Sequence, residues 1–124
     1  MEKNNIKILV VDDHPIVRDG IKTMLELGEF YSYNFTVLEA SDKEETMSIL
    51  KSKAIDIVLM DYQLEKIDGS SLTSVILNEY PEQLVLALSN YDNIEFTSSM
   101  LKAGARGYMT KNIKSDELFE AITT

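Results

Sequence analysis

The sequence predicts a three-layer α/β sandwich built on a parallel sheet, and three observations carry that prediction. Strand-length segments, most of them rich in Val, Ile and Leu, alternate with amphipathic stretches along the whole chain. The apolar runs are nearly continuous rather than alternating, which is the pattern of strands covered on both faces. Helix start and stop signals fall between them: a first-turn proline, S-x-x-E and Asp-Gly pairs, and glycines at the far ends. Strands that alternate with helices pair in parallel through right-handed crossovers, so helices cover both faces of one sheet.

Ile6–Val11 is the first strand. Pro15 suits the first turn of the following helix, where its missing N–H is not needed. Val17, Ile21, Met24 and Leu25 share one face of that helix, Gly28 stops it, and Glu29–Asn34 reads as a surface connection. Phe35–Ala40 is the second strand. Ser41 with Glu44 forms a capping box that opens a helix to about Lys51. Ile55–Met60, interrupted only by Asp56, is the third strand. Asp68 and Gly69 precede a helix whose Leu72, Val75, Ile76 and Tyr80 share a face, and Pro81 ends it. Leu84–Leu88 is the fourth strand. Asp92 and Glu95 make another capping pair before a helix reaching about Ala103, which Gly104 stops. Arg106–Thr110 is a short fifth strand, and a last helix from about Ser115 brings Leu118, Phe119 and Ile122 together. No long linker, low-complexity tract or long-period repeat divides residues 1–124, which read as one domain. The last helix runs to Thr124 without a Gly or Asn cap, as a frayed terminus or a cut from a longer chain would leave it.

A chain of 124 residues suits a single core, and its 44% apolar and 27% charged residues are the shares of an ordinary globular domain rather than a disordered one. No apolar stretch is long enough for a membrane-spanning helix, and the opening Met-Glu-Lys-Asn-Asn has no apolar signal region. The absence of cysteine excludes a disulfide framework and a thiolate metal site, and it is compatible with the cytoplasm, where we place the chain. A formal net charge of −9 repels the phosphate backbone, which argues against nucleic-acid binding by these residues themselves. Solubility accounts for most of that acidity; a local carboxylate cluster within it would attract a divalent cation.

In an open parallel sheet, ligands bind at the carboxyl ends of the strands. There this sequence puts Asp12 and Asp13 after strand one, Asp61 after strand three, Ser89 after strand four and Lys111 after strand five. Each alone has a plainer reading: helix N-terminal charge for Asp12-Asp13, turn chemistry for Asp61, a loop start for Ser89, a surface cation for Lys111. Together they are the parts of a phosphoryl-transfer site. Clustered carboxylates repel and call for a counter-charge, and Mg²⁺ suits one or two carboxylates, waters and a phosphoryl oxygen. A carboxylate can act as the nucleophile and form an aspartyl-phosphate, with the lysine and hydroxyl satisfying its oxygens. His14, the single histidine, precedes Pro15 at the start of a helix and is not counted among the reacting groups.

Four segments resemble the receiver domain of bacterial two-component response regulators: Ile8–Arg18, Asp56–Asp61 with Asp68-Gly69, Ala87-Leu88-Ser89, and Gly104–Lys111. The likeness covers almost the whole chain. Asp12-Asp13-His14-Pro15 and the Gly-Ala-Arg-Gly-Tyr-x-Thr-Lys segment are most similar to the LuxR/NarL-type subgroup. The resemblance implies a flavodoxin-like five-stranded sheet of order 2-1-3-4-5. It implies that Asp61 is the phosphoacceptor, taking its phosphoryl group from a phosphohistidine of a sensor kinase. Asp13 and Asp61 would ligate Mg²⁺ through their carboxylates, with the Gln63 backbone carbonyl as a further ligand and Asp12 acting mostly through water. Lys111 would pair with the carboxylate and then with the phosphate. Ser89 and Tyr108 occupy the switch positions, the hydroxyl moving to the phosphate and the ring turning inward, to bias a surface of the fourth helix, fifth strand and fifth helix. The likeness further implies a regulatory domain rather than an enzyme, homodimerisation on phosphorylation, and transcriptional control through a DNA-binding helix-turn-helix domain that residues 1–124 do not encode.

Two departures from the family pattern stand out. The usual proline four residues after the acceptor is Glu65, which predicts a less constrained loop with added negative charge. The usual proline after the lysine is Asn112, and since a cis non-proline bond costs about 3–4 kcal/mol, a trans Lys111–Asn112 bond is expected. Both bear on the placement of Lys111 and on phosphoryl lifetime; Gln63 and Tyr91, two positions beyond Asp61 and Ser89, are placed to screen attacking water. Two other functions compete with a phospho-switched receiver that controls transcription. One is a stand-alone interaction module. The other is an aspartyl-phosphate phosphatase, against which stands Gln63, where such an enzyme carries a second acid–base carboxylate.

Overall fold

Five strands, β1 (Asn4–Val11), β2 (Tyr33–Ala40), β3 (Ile57–Asp61), β4 (Leu84–Ser89) and β5 (Gly107–Thr110), form one parallel sheet in the order β2-β1-β3-β4-β5. The computed structural model describes residues 4–27, 33–89, 94–110, 117, 120 and 122, with the backbone alone at Ser89 and Ile94. Between the strands run α1 (Pro15–Glu26), α2 (Lys43–Ser52), α3 (Gly69–Glu79) and α4 (Ile94–Ala103). This is the flavodoxin-like order that the resemblance to receiver domains implied.

The two-residue period of each strand sorts its side chains into two cores. Ile8, Val10, Ile57 and Leu59 pack with Ile21 and Leu25 of α1 and with Ile122 on one face. Leu9, Val11, Val58 and Met60 pack with Leu50 of α2, Leu72 and Ile76 of α3 and Met100 of α4 on the other. Because both faces are covered, Ile8–Val11 of β1 and Ile57–Met60 of β3 are apolar without alternation, as predicted. Val17 and Met24 lie partly buried beside Ile21 and Leu25, so the predicted α1 face is the one used. On α3 the buried set is Gly69, Leu72, Thr73 and Ile76, with Tyr80 packed at its edge and Val75 only half-buried.

Several boundaries differ from expectation. Tyr33 and Asn34 belong to β2 rather than to the preceding connection, because they pair with Asn4 and Asn5. Strand β3 begins at Ile57 and includes Asp61. Just before it, Asp56 bonds across to β1: its N–H donates to the Lys7 carbonyl (2.9 Å), and its carboxylate accepts from the Lys7 N–H (2.7 Å). That pairing explains an acid inside an apolar run. Helix α2 is capped by Asp42, not Ser41: the Asp42 carboxylate accepts from the Glu45 N–H at 2.8 Å, and the Glu45 carboxylate reaches back to the Ser41 N–H at 3.0 Å. The capping box is therefore the predicted device shifted by one residue. Gly104 ends α4 at φ +116, a conformation that favours glycine, and fits under Leu77. The expectations for Gly28, Asp92, Lys111–Asn112, Leu118 and Phe119 lie outside the described residues; Glu117, Glu120 and Ile122 are helical.

Candidate functional site

Strand β1 ends at Val11, and the Asp12 N–H still donates to the Ala40 carbonyl of β2 (3.1 Å), so Asp12 leaves the sheet under backbone control. His14 is the N-cap residue of α1, and its carbonyl accepts from Val17 and Arg18. Its side chain makes no cap bond, which leaves the ring to turn elsewhere. It turns onto the acids. Its Nδ1 lies 2.8 Å from Asp12 Oδ1, 3.1 Å from Asp13 Oδ1 and 3.9 Å from Asp61 Oδ2. Arg18, one turn into α1, donates from Nη1 to the Asp12 carbonyl and from Nε to Glu39 (3.4 Å), tying the turn after β1 to the end of β2.

Asp61 closes β3 and is 2% exposed. Its backbone is held from behind by Gly69, the first residue of α3. A Cβ there would lie 2.1 Å from the Asp61 carbonyl oxygen and 2.7 Å from Tyr62 Cα, and the Gly69 N–H donates to the Tyr62 carbonyl at 2.7 Å. Only glycine permits this approach. Asp68 caps α3, its carboxylate accepting from Ser70 Oγ (2.5 Å), the Ser71 N–H (2.8 Å) and Ser71 Oγ (3.0 Å). These donors, Ser70 Oγ foremost, hold the Asp68 carboxyl below the ordinary carboxylate pKa, against a smaller opposing effect of burial. The Gln63 N–H donates to Asp61 Oδ1 at 3.3 Å. Just past β3, the Tyr62 ring stacks on Phe96 of α4, with centroids 4.1 Å apart and planes 15° apart.

One ligand atom from each of Asp12, Asp13, His14 and Asp61 lies within 4.8 Å of all the others. Asp12 and Asp61 are buried, and Asp13 Oδ1 is a buried oxygen with no hydrogen-bond partner among the described residues. Hard carboxylate oxygens converging on one point are the donor set that Mg²⁺ or another divalent ion takes. The structure thus brings together the three predicted acids. The Ser89 backbone closes β4 opposite Thr110, one residue beyond Leu88, which pairs with Asp61. Lys111 follows Thr110 and lies outside the described residues, as does the side chain of Ser89. Tyr108 is 54% exposed on β5. Sequence reasoning set His14 aside and passed over Arg18 and the Tyr62–Phe96 stack. The only sequence signal for His14 was an N-cap position lacking a good capping side chain.

Comparison with known proteins agrees with this geometry. The family described as response regulator receiver domain matches residues 8–123. The chain is 31% identical over 122 residues to the transcriptional regulatory protein DegU of Brevibacillus brevis, covering 98% of this chain and 50% of that protein. It is 37% identical over 117 residues to the response regulator GacA of Pseudomonas syringae pv. syringae (strain B728a), covering 94% and 53%. The crystal structure of a LuxR-family two-component response regulator from Aurantimonas sp. SI85-9A1 superposes with a TM-score of 0.82 at 31% identity, covering 97% of this chain and 84% of that one. The chain spans about half the length of these two curated relatives. With its strand order, its acid-lined strand ends and this match over nearly its full length, the chain belongs to the receiver domains of two-component response regulators, of the LuxR/NarL type.

Proposed function

We propose that residues 1–124 form one receiver domain in which Asp61 is the phosphoacceptor. The observation that carries this reading is the buried Asp61 carboxylate at the end of β3, facing Asp12 and Asp13 across a space of ligand size. Asp61 attacks the phosphorus of a phosphohistidine on a sensor histidine kinase, so that a P–O bond forms as the P–N bond breaks and the imidazole leaves. Asp13 and Asp61, with the Gln63 carbonyl and with Asp12 through water, would hold Mg²⁺. When bound, that ion neutralises charge on the transferred group. Lys111 pairs with the phosphate, Ser89 donates its hydroxyl to it, and Tyr108 turns inward from its exposed position to bias the surface around α4 and β5. The domain is regulatory rather than an enzyme of turnover, although it assists its own phosphotransfer and dephosphorylation.

The lengths of the relatives support a longer parent protein. In our reading, a DNA-binding domain follows this one and is controlled by it in the cytoplasm, with homodimerisation on phosphorylation. Among the described residues no helix is long and apolar enough to cross a membrane. Incubation with a phosphohistidine donor and Mg²⁺ should give a base-labile phosphoryl group on the unmutated chain and none on Asp61→Asn. Equal labelling of the two chains would sink the acceptor assignment.

A further inference from the structure

We infer that the Glu26 carboxylate guards the outer edge of β2, standing where the carbonyl oxygen of an added strand would stand, and that it keeps two copies of this chain from joining their sheets edge to edge. The inference is independent of the acceptor chemistry. It begins with the direction of the peptide groups. In a parallel pair, alternate residues turn both N–H and C=O to the neighbouring strand. The Ala40 carbonyl takes the Asp12 N–H from the β1 side, so Ala40, Leu38 and Thr36 face β1, while Glu39 and Val37 face outward. Val37 lies mid-strand, and its outward N–H donates to Glu26 Oε2 at 2.9 Å. Glu26 is the last residue of α1, whose Ile21 and Leu25 pack in one core with Val37 and Phe35. Its side chain therefore passes around the edge of the sheet and ends against the ladder.

Edge strands are ordinarily protected by being short, by lysine or proline, or by a bulge. The other edge, β5, is four residues long. β2 has eight, reads Tyr-Asn-Phe-Thr-Val-Leu-Glu-Ala and pairs with β1 in unbroken register, so it carries none of these devices. Its one charged side chain, Glu39, is drawn onto Arg18 of α1 at 3.4 Å. Such an edge is self-complementary. Two copies related by a two-fold axis at Val37 would pair antiparallel, each Val37 N–H donating to the other's Val37 carbonyl. Glu26 takes that same N–H. Before two strands could meet, its carboxylate would have to give up a charge-assisted bond and leave the edge, or be buried there as an unpaired charge.

The test uses the chain without Mg²⁺ or phosphodonor, so that dimerisation on phosphorylation does not enter. Sedimentation velocity at rising concentration should find the unmutated chain monomeric and Glu26→Ala associating. Glu26→Asp, one methylene too short to reach Val37, should associate as well, and it carries the test should the alanine variant not fold. In either variant at high dilution, exchange of the Val37 amide should quicken about tenfold or more, as loss of one charge-assisted hydrogen bond requires. Adding Thr36→Lys, a cation at an exposed position of the same strand, should return the chain to a monomer. Variants that stay monomeric at every concentration would overturn the inference. So would association that survives Thr36→Lys, which would place the contact on another surface, and so would an unmutated chain that associates with its β2 amides newly protected.

Discussion

Replacing Gly69 by alanine tests how Asp61, the proposed acceptor, is held. At most helix starts the change would be neutral or helpful, because glycine loses more chain entropy on folding than alanine. Here the added Cβ would meet the Asp61 carbonyl oxygen at 2.1 Å, its carbonyl carbon at 2.8 Å and Tyr62 Cα at 2.7 Å. All three are backbone atoms in or just past the central strand β3, and none can swing aside as a side-chain tip would. Reaching ordinary contact requires the start of α3 and the end of β3 to part by more than about 1 Å. Overpacking of this kind costs about 1–3 kcal/mol, and the Gly69–Tyr62 hydrogen bond of 2.7 Å lies on the same line of separation. For a chain of this length that is roughly 4 °C of melting temperature per kcal/mol, hence a fall of roughly 4–12 °C. Phosphotransfer should suffer more than stability, since a misplacement of about 1 Å can cost about 100-fold in rate.

Gly20→Ala is the control. Gly20 lies inside α1 with nothing within 4 Å of its would-be Cβ, so the same substitution should raise stability by about 0.5–1 kcal/mol. Thermal melts of both variants, together with the rate of Mg²⁺-dependent labelling by a small acyl phosphate, decide the matter. If Gly69→Ala melts and labels like the unmutated chain, the close approach behind Asp61 does not constrain the acceptor and the reasoning fails.

Two further outcomes follow from the same neighbourhood. The Asp68 carboxyl titrates below its ordinary value of 3.8, so its contribution is fully present above the unfolded value and is lost as pH falls through the folded one. Asp68→Asn should therefore flatten the acid limb of the melting-temperature profile below about pH 4 while keeping most of the cap, and Asp68→Ala should cost about 1 kcal/mol at pH 7; an unaltered acid limb in both would contradict the assignment. A double-mutant cycle on Tyr62→Ala and Phe96→Ala should return a coupling of about 0.5–1.5 kcal/mol for the stacked rings, and strict additivity of the two losses would show that the stack does not bind α4 to the acceptor loop.

The fold was legible because the strands are buried on both faces and their composition says so without tertiary knowledge. Asp61 was legible for the same reason: it is the first ionisable residue after four fully apolar positions of β3. What the sequence left ambiguous was local register. Ser41-x-x-Glu44 and Asp42-x-x-Glu45 are overlapping boxes of equal quality, and only the sheet decides between them. Ala40 remains paired with Val11, and Ser41 just beyond it is taken up by the Glu45 carboxylate, so Asp42 is the residue that caps. Tyr33 and Asn34 carry no apolar period and become strand only because Asn4 and Asn5 offer a partner. His14 and the Tyr62–Phe96 stack were invisible for a different reason. Each depends on which way a side chain turns once distant strand ends and helices have met, and no spacing along the chain encodes that.

Glu65, where the family usually carries a proline, was expected to loosen the loop after the acceptor. The contacts around that loop argue otherwise. The Leu64 and Gly69 N–H groups both converge on the Tyr62 carbonyl, at 3.2 and 2.7 Å, and the Gln63 N–H turns back to the Asp61 carboxylate. Leu64 and Ile67 pack against the core beneath α2 and α3, and Asp68 anchors the far end as a helix cap. A proline fixes one φ angle. Here backbone bonds, burial and a helix cap hold residues 61–69, and Glu65 itself is left exposed on the rim of a cleft that Asp13, Asp42, Lys43, Glu44 and Lys66 also line. Glu65 thus adds one more carboxylate beside a site already built from three, in a cleft where four acids, Asp13, Asp42, Glu44 and Glu65, outnumber the two lysines.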